Sequence, residues 1–184
     1  MTTLGYALLG LLARAPSSGY DLAQKLKGQV AFFWQARHSQ IYPELARLEQ
    51  QGYLVVARVP QVERPDKKIY SLTEQGRNAL ETWLKTPVEV PATRDELVLK
   101  AYHLWLIEPV QAIALFREHE QHHAALLARY QHNRVWLEEQ WAAEGRRLDS
   151  PWFGSVAAIQ RGVGYEQEYL EWCRWMLAQL EPAV

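Results

Sequence analysis

Apolar residues crowd the start of the chain. Leu4, Ala7, Leu8, Leu11 and Leu12 lie between Thr3 and Ala13, and Leu4, Leu8 and Leu11 stand at i, i+4, i+7, which predicts a largely buried helix ending before Pro16. Ser17 or Ser18 caps a second, short helix from Gly19 to Lys27, with Leu22 and Leu26 on one side, Lys25 and Lys27 left for solvent or phosphate, and Gly28 as its stop. Beyond the apolar connector Val30 to Trp34, Ser39 is the N-cap expected for a third helix, Gln40 to Gln51, because Pro43 is tolerated only near a helix start. Ile41, Leu45 and Leu48 form its inward stripe, which leaves Gln40, Tyr42, Glu44 and Arg47 on faces that can look outward, and Gly52 follows as the C′ residue. Two β-prone runs, Tyr53 to Val59 and Lys67 to Leu72, flank a polar stretch holding Pro60 and Pro65 and read as a hairpin with a long tip. Thr73 opens a fourth helix that runs through Ala79, Leu80, Trp83 and Leu84.

Residues 1–86 thus close as one domain, 87–92 form a stiff linker marked by Pro87 and Pro91, and 93–184 carry only helical patterns. Three helices are expected there: Thr93 to Leu106, Pro109 to about Glu144 with proline at N1, and roughly Trp152 to Leu180. The two long ones carry imperfect heptads. Ile113, Phe116, His123, Leu127, Tyr130, Leu137 and Trp141 are interrupted by Glu120 and Arg134, and Val156, Ile159, Val163, Leu170, Cys173, Leu177 and Leu180 by Glu166. Seams of this kind behind a small domain predict packing against a second copy of the chain, with Ile113, Phe116, Leu127, Tyr130, Val163, Leu170, Leu177 and Leu180 at the homodimer interface. The fold class is mainly α: a winged helix-turn-helix N-terminal domain followed by an all-helical dimerisation domain.

Composition narrows the setting. The apolar runs, such as Tyr6 to Ala13, fall short of the roughly 20 residues that span a bilayer, and Met1-Thr2-Thr3 lacks a basic leader, so a cytoplasmic protein is expected. Cys173 is the only cysteine, and neither an internal disulfide nor zinc spacing is available to it. The net charge of −1 conceals an asymmetry: residues 1–86 hold 11 Lys and Arg against 7 Asp and Glu, whereas 87–184 hold 9 against 14. Only the first half suits a polyanion, and the excess is modest.

Helix, helix, helix, hairpin, helix is the order of a winged helix-turn-helix, whose third helix enters the DNA major groove while the hairpin reaches the neighbouring backbone. The same architecture serves protein-protein interaction modules that bind no DNA, which is the alternative reading; an enzyme is a third, weakened by the lack of an assembled site. The residues add a resemblance. Ser18-Gly19-Tyr20-Asp21-Leu22, Gln40-Ile41-Tyr42-Pro43-Glu44-Leu45 with Leu48-Glu49 and Gly52, then Arg64-Pro65, Lys67-Lys68, Tyr70, Leu72-Thr73 and Gly76 together resemble the PadR family of bacterial transcriptional regulators. Arg94-Asp95-Glu96-Leu97-Val98-Leu99-Lys100 is similar to the opening of the helical C-terminal domain in that family's longer branch. The resemblance implies a dimeric repressor on a near-palindromic operator, released in several relatives by a small aromatic or planar compound.

Tyr20, Ser39 and Tyr42 offer hydroxyls to phosphate, with Tyr42-Pro43 the strongest family match; Gln40 and Arg47 can read base edges; Arg37, Arg64, Lys67 and Lys68 supply sequence-independent attraction. Adjacent strand residues face opposite sides, so one of Lys67 and Lys68 is expected on phosphate, and Glu63 and Asp66 make the wing less basic than the family pattern. Six of the 8 tryptophans lie in the helical half, where they serve either interhelix packing or ligand stacking; Trp105, Tyr169, Trp172 and Trp175 are the candidate effector pocket. His119 and His123, with His122 beside them, have i, i+4 metal spacing but neither a third ligand nor an H-E-x-x-H frame, so no metal is assigned. Gly162-Val163-Gly164 lies in a helical pattern without a preceding strand and is no nucleotide loop, and Cys173 lacks an assignable base. No cofactor motif is present.

Overall fold

In the computed structural model, which describes residues 1–28, 38–60, 66–89 and 94–181, the chain forms two compact units, Met1–Val90 and Pro91–Val184. The first unit contains α1 (Thr3–Arg14), β1 (Ser17–Ser18), α2 (Gly19–Gly28), α3 (His38–Gln50), β2 (Leu54–Val59), β3 (Lys67–Leu72) and α4 (Glu74–Leu84). Thr2 starts α1 by accepting the Gly5 amide at 3.0 Å, and Thr73 starts α4 by accepting that of Gly76 at 3.0 Å, each satisfying an amide with no partner inside the helix. The core is aliphatic but for one tyrosine: Leu8, Leu9, Leu11 and Leu12 of α1 meet Leu22 and Leu26 of α2, Ile41, Leu45 and Leu48 of α3, and Leu54 and Tyr70 of the hairpin. α3 ends in a Schellman motif, with the Tyr53 amide on the Leu48 carbonyl, the Gly52 amide on the Glu49 carbonyl, and Gly52 at φ +77°.

Strands β2 and β3 pair antiparallel from Leu54↔Leu72 to Val59↔Lys67. The third strand was not foreseen. Ser17 and Ser18, read as caps, pair with Tyr70 and Ile69 to give sheet order β1-β3-β2, while the Ser18 hydroxyl still accepts the Asp21 amide. Two residues suffice because the ladder continues an existing hairpin. A second correction concerns α3, which begins at His38; Ser39 therefore lies in the first turn, not at the N-cap, and Pro43 sits inside the helix. The connector 30–34, together with Arg37 and Arg64, lies outside the described residues.

The second unit contains α5 (Glu96–Tyr102), a 3-10 turn (Leu104–Leu106), α6 (Pro109–Ala143) and α7 (Pro151–Leu180). The single helix expected from Thr93 to Leu106 is broken at His103, and Asp95 caps its start by accepting the Leu97 and Val98 amides at 2.9 and 3.1 Å. α6 and α7 form an antiparallel hairpin. Its turn is held by Ser150, which accepts the Trp152 amide and donates to Glu144, whose carboxylate also receives the Trp152 indole N–H.

Candidate DNA-binding face and the helical unit

Burial of Ile41, Leu45 and Leu48 orients α3 and leaves Ser39, Gln40, Tyr42 and Pro43 exposed, as the stripe requires. The start of α2 packs closely against α3 at one point. A Cβ on Gly19 would stand 2.7 Å from the Tyr42 ring, so the glycine lets that ring lie over the start of α2 while its outer edge remains in solvent. Tyr20 is exposed on the next position.

Glu44 does not turn outward. It is 8% exposed, and its carboxylate accepts from the Thr2 hydroxyl at 2.6 Å and from Arg47 Nε at 3.0 Å, with Arg47 Nη2 on its other oxygen. Burial pushes the Glu44 carboxyl up, but the hydrogen bonds from Arg47 and Thr2 together with the Arg47 charge outweigh it and leave the group below its ordinary value. The sequence stripe misplaced Glu44 because a side chain that long can reach back over the first turn of α1. Arg47 is thereby engaged within the protein.

The hairpin register separates the two lysines. Lys67 stands opposite Val59 and pairs with Asp21 of α2 at 3.4 Å, whereas Lys68 stands opposite Arg58. Asp21 is itself held by the Ser18 hydroxyl at 2.7 Å, and its carboxyl is lowered by that hydrogen bond and by Lys67. Two cations directly across a ladder repel unless an anion lies between them, so the register concentrates positive charge at Arg58 and Lys68. Arg58 escaped the sequence reading because the strand register, which no local pattern reveals, is what brings it beside Lys68.

In the helical unit, most of the residues expected between subunits are already buried within the chain itself. Phe116 and Cys173 are fully buried, and Tyr130, Val163, Leu170 and Leu177 nearly so, while Ile113, Leu127 and Leu180 are half-buried. The heptads are imperfect because their interruptions are paired. Glu166 meets His123 Nδ1 at 2.5 Å, Glu120 accepts from Arg174 at 2.9 Å, and Arg134 donates to Gln160 at 3.0 Å. The His123 ring stacks on Tyr169 at 4.0 Å, Tyr169 donates to the Asp95 carboxylate, and Trp172 stands edge-on to both Tyr169 and Phe116. Burial and the Asp95 carboxylate push the Tyr169 phenol far above its ordinary value, so it remains a donor. Trp105 and Trp175, expected in the same pocket, are mostly exposed. Among the described residues, no group of three His, Cys, Asp or Glu could hold a metal, and no helix is long and apolar enough to cross a membrane.

A buried three-helix core that presents one polar helix face beside a basic hairpin, joined to a separate helical hairpin, defines a winged helix-turn-helix regulator. The model of the transcriptional regulator PadR-like family matches residues 8–82, and that of the virulence activator alpha C-terminal region matches 93–181. The negative transcriptional regulator PadR of Bacillus subtilis is 35% identical over 182 residues, covering 98% of this chain and 99% of that protein. The structure of Bacillus subtilis PadR in complex with operator DNA superposes with a TM-score of 0.83 at 32% identity, covering 97% and 99% of the two chains. The complex of the same protein with p-coumaric acid gives 0.80 at 34% identity, covering 97% and 95%. The chain belongs to the PadR-like family of transcriptional regulators and is a DNA-binding regulator of transcription.

Proposed function

We propose that this protein is a homodimeric repressor that binds a near-palindromic operator and is released by a small planar aromatic ligand. The observation that carries the reading is the solvent face of α3, where Ser39, Gln40, Tyr42 and Pro43 stand together above a helix fixed from behind by Ile41, Leu45 and Leu48. Gln40 addresses base edges, Tyr20, Ser39 and Tyr42 address phosphate, and Arg58 and Lys68 bring the wing to the neighbouring backbone. Two copies related by a two-fold axis present two such faces about 34 Å apart, one turn of DNA. Because the α6–α7 seam is filled from within the chain, the surface offered to the second copy includes the exposed apolar side chains of Leu99, Tyr102, Trp105, Leu106 and Val110. Bacillus subtilis PadR has a complex with p-coumaric acid, and in this chain the aromatic group Phe116, Tyr169 and Trp172 is the surface on which a planar ligand of that kind would stack.

The test is a fluorescence-anisotropy titration against duplexes drawn from upstream of its own gene, at two salt concentrations, with a scrambled duplex as control. Selective binding that falls steeply with salt, by about 10³-fold or more between 50 and 200 mM if about six phosphates are contacted, supports the reading. Equally weak binding to every duplex, including a pool of random sequence, favours the interaction module. Release of the selected duplex by p-coumaric acid tests the effector.

A further inference from the structure

We infer that Glu44 is a positioning residue for operator recognition, which docks the groove-facing helix α3 on the first turn of α1 and holds the Arg47 guanidinium along α3, away from DNA. The inference rests on the assignment of α3 to the major groove. Three observations carry it. Glu44 is buried although it lies on the helix that otherwise presents polar side chains to solvent. Its carboxylate joins two elements distant in sequence, since it accepts from Thr2, 42 positions away, while Thr2 in turn caps α1 through the Gly5 amide. Finally, Gly5 lacks the atom that would block this approach: a Cβ there would stand 2.5 Å from Glu44 Oε1. A negative group seated over the start of α1 is also favoured by the unpaired amides and the helix dipole there.

Arg47 is the second half of the device. Its Nε and Nη2 both donate to Glu44, a two-point grip that fixes a planar guanidinium in direction as well as position. A cation on the groove-facing helix that is neutralised within the protein adds nothing to the counterion-release term, which rewards every free cation equally on any sequence. Glu44 thus raises selectivity in two ways: it fixes the angle at which α3 meets the base edges, and it withholds a charge that would bind any phosphate.

The test uses the full chain, with a duplex selected by the wild-type protein from a random-sequence pool and a scrambled duplex, titrated from 50 to 200 mM salt. Glu44→Gln keeps the size of the side chain and releases Arg47. It is expected to weaken binding to the selected duplex about ten-fold, a step of about 1.4 kcal/mol, while steepening the salt slope on the scrambled duplex by about 0.9 for each guanidinium that gains a phosphate. Arg47→Gln keeps a donor for Glu44 without the charge and is expected to leave both affinity and slope as in wild type. The double variant is expected to lose the steepened slope. A shallower slope and weaker binding for Arg47→Gln alone would show that Arg47 touches DNA in the wild type and overturn the proposal, as would wild-type behaviour of Glu44→Gln. Tyr42→Ala and Gln40→Ala separate the two levels: if neither weakens the selected duplex, the groove assignment of α3 falls and the proposal with it. If both do while Glu44→Gln changes nothing, only the role of Glu44 is refuted.

Discussion

Gly76 offers the sharpest test of how the wing is mounted. It is the third residue of α4, its amide is the one capped by Thr73, and it packs against the corner where α3 gives way to β2. A Cβ at this position would lie 2.3 Å from the Tyr53 carbonyl oxygen and 2.8 Å from Leu72 Cδ1. The leucine can rotate, but the carbonyl cannot. It already accepts the Thr73 amide at 3.1 Å, and Tyr53 also donates its own amide to Leu48 in the motif that ends α3. Gly76→Ala must therefore move the start of α4 away from the hairpin. Overpacking of this kind costs about 1–3 kcal/mol, and a backbone obstacle places this case toward the upper end, whereas alanine regains up to about 1 kcal/mol through helix propensity. The net expectation is a loss of about 2 kcal/mol. Gly10→Ala is the matched control, because it too lies inside a helix yet an added Cβ meets nothing within 4 Å, so propensity alone should stabilise it by about 0.5–1 kcal/mol. Urea denaturation of the three proteins at one protomer concentration measures both changes, the concentration being held constant because an oligomer's midpoint depends on it. A Gly76→Ala protein as stable as wild type would refute the claim that this corner is closed to a side chain, and with it the rigid mounting of the wing.

Other consequences can be checked one at a time. Tyr42→Ala should weaken operator binding by about 1–3 kcal/mol, read by anisotropy, with no change in sedimentation, since its ring lies between Gly19 and solvent. Tyr169→Phe removes the donor to Asp95, which keeps its two backbone amides, and should lower stability toward urea by about 1–3 kcal/mol because the lost bond has a charged acceptor. Burial, aided by His123, His122 and Lys100 and opposed by Glu118, holds the His119 imidazole below its ordinary 6.5. A base lowered in the folded state contributes stability that is complete above 6.5 and lost as pH falls from there through the lower folded value, so urea midpoints should drop on acidification and drop less in His119→Gln. The Cys173 thiol, pushed up to about 11 by burial and then by Glu120 and Asp95, should react with a thiol-specific reagent at pH 8 far more slowly in the native protein than in urea.

The helices, the hairpin and the solvent face of α3 were legible in the sequence because each rests on local physics: a period in the apolar residues, a capping threonine, a proline or a glycine at a boundary. Ile41, Leu45 and Leu48 needed nothing beyond their spacing to orient α3, and Gly52 nothing beyond its place after the last apolar position. What escaped depends on partners far along the chain. Glu44 was read as outward because helical periodicity considers only its own helix, whereas its position is decided by Thr2 and by the absence of a side chain at Gly5. Ser17 and Ser18 carry cap residues, and only the approach of β3 makes them a strand.

The helical half shows the same division from the opposite side. Its apolar rhythm was visible, but a rhythm does not say which helix fills the facing holes, and a second copy and the next helix of the same chain satisfy it equally. The charged residues that break the rhythm decide between them. Glu166 is opposite His123, Glu120 opposite Arg174 and Arg134 opposite Gln160, all within one chain. A buried carboxylate is tolerated only beside a partner placed to meet it, so the Glu166–His123 pair specifies one register of α6 against α7 and penalises any other. A slip of one turn would leave Glu166 and His123 buried without each other, at a cost that apolar contacts shared by every register cannot offset. The buried Glu166 interruption is therefore what fixes α7 in place against α6 when the hairpin closes.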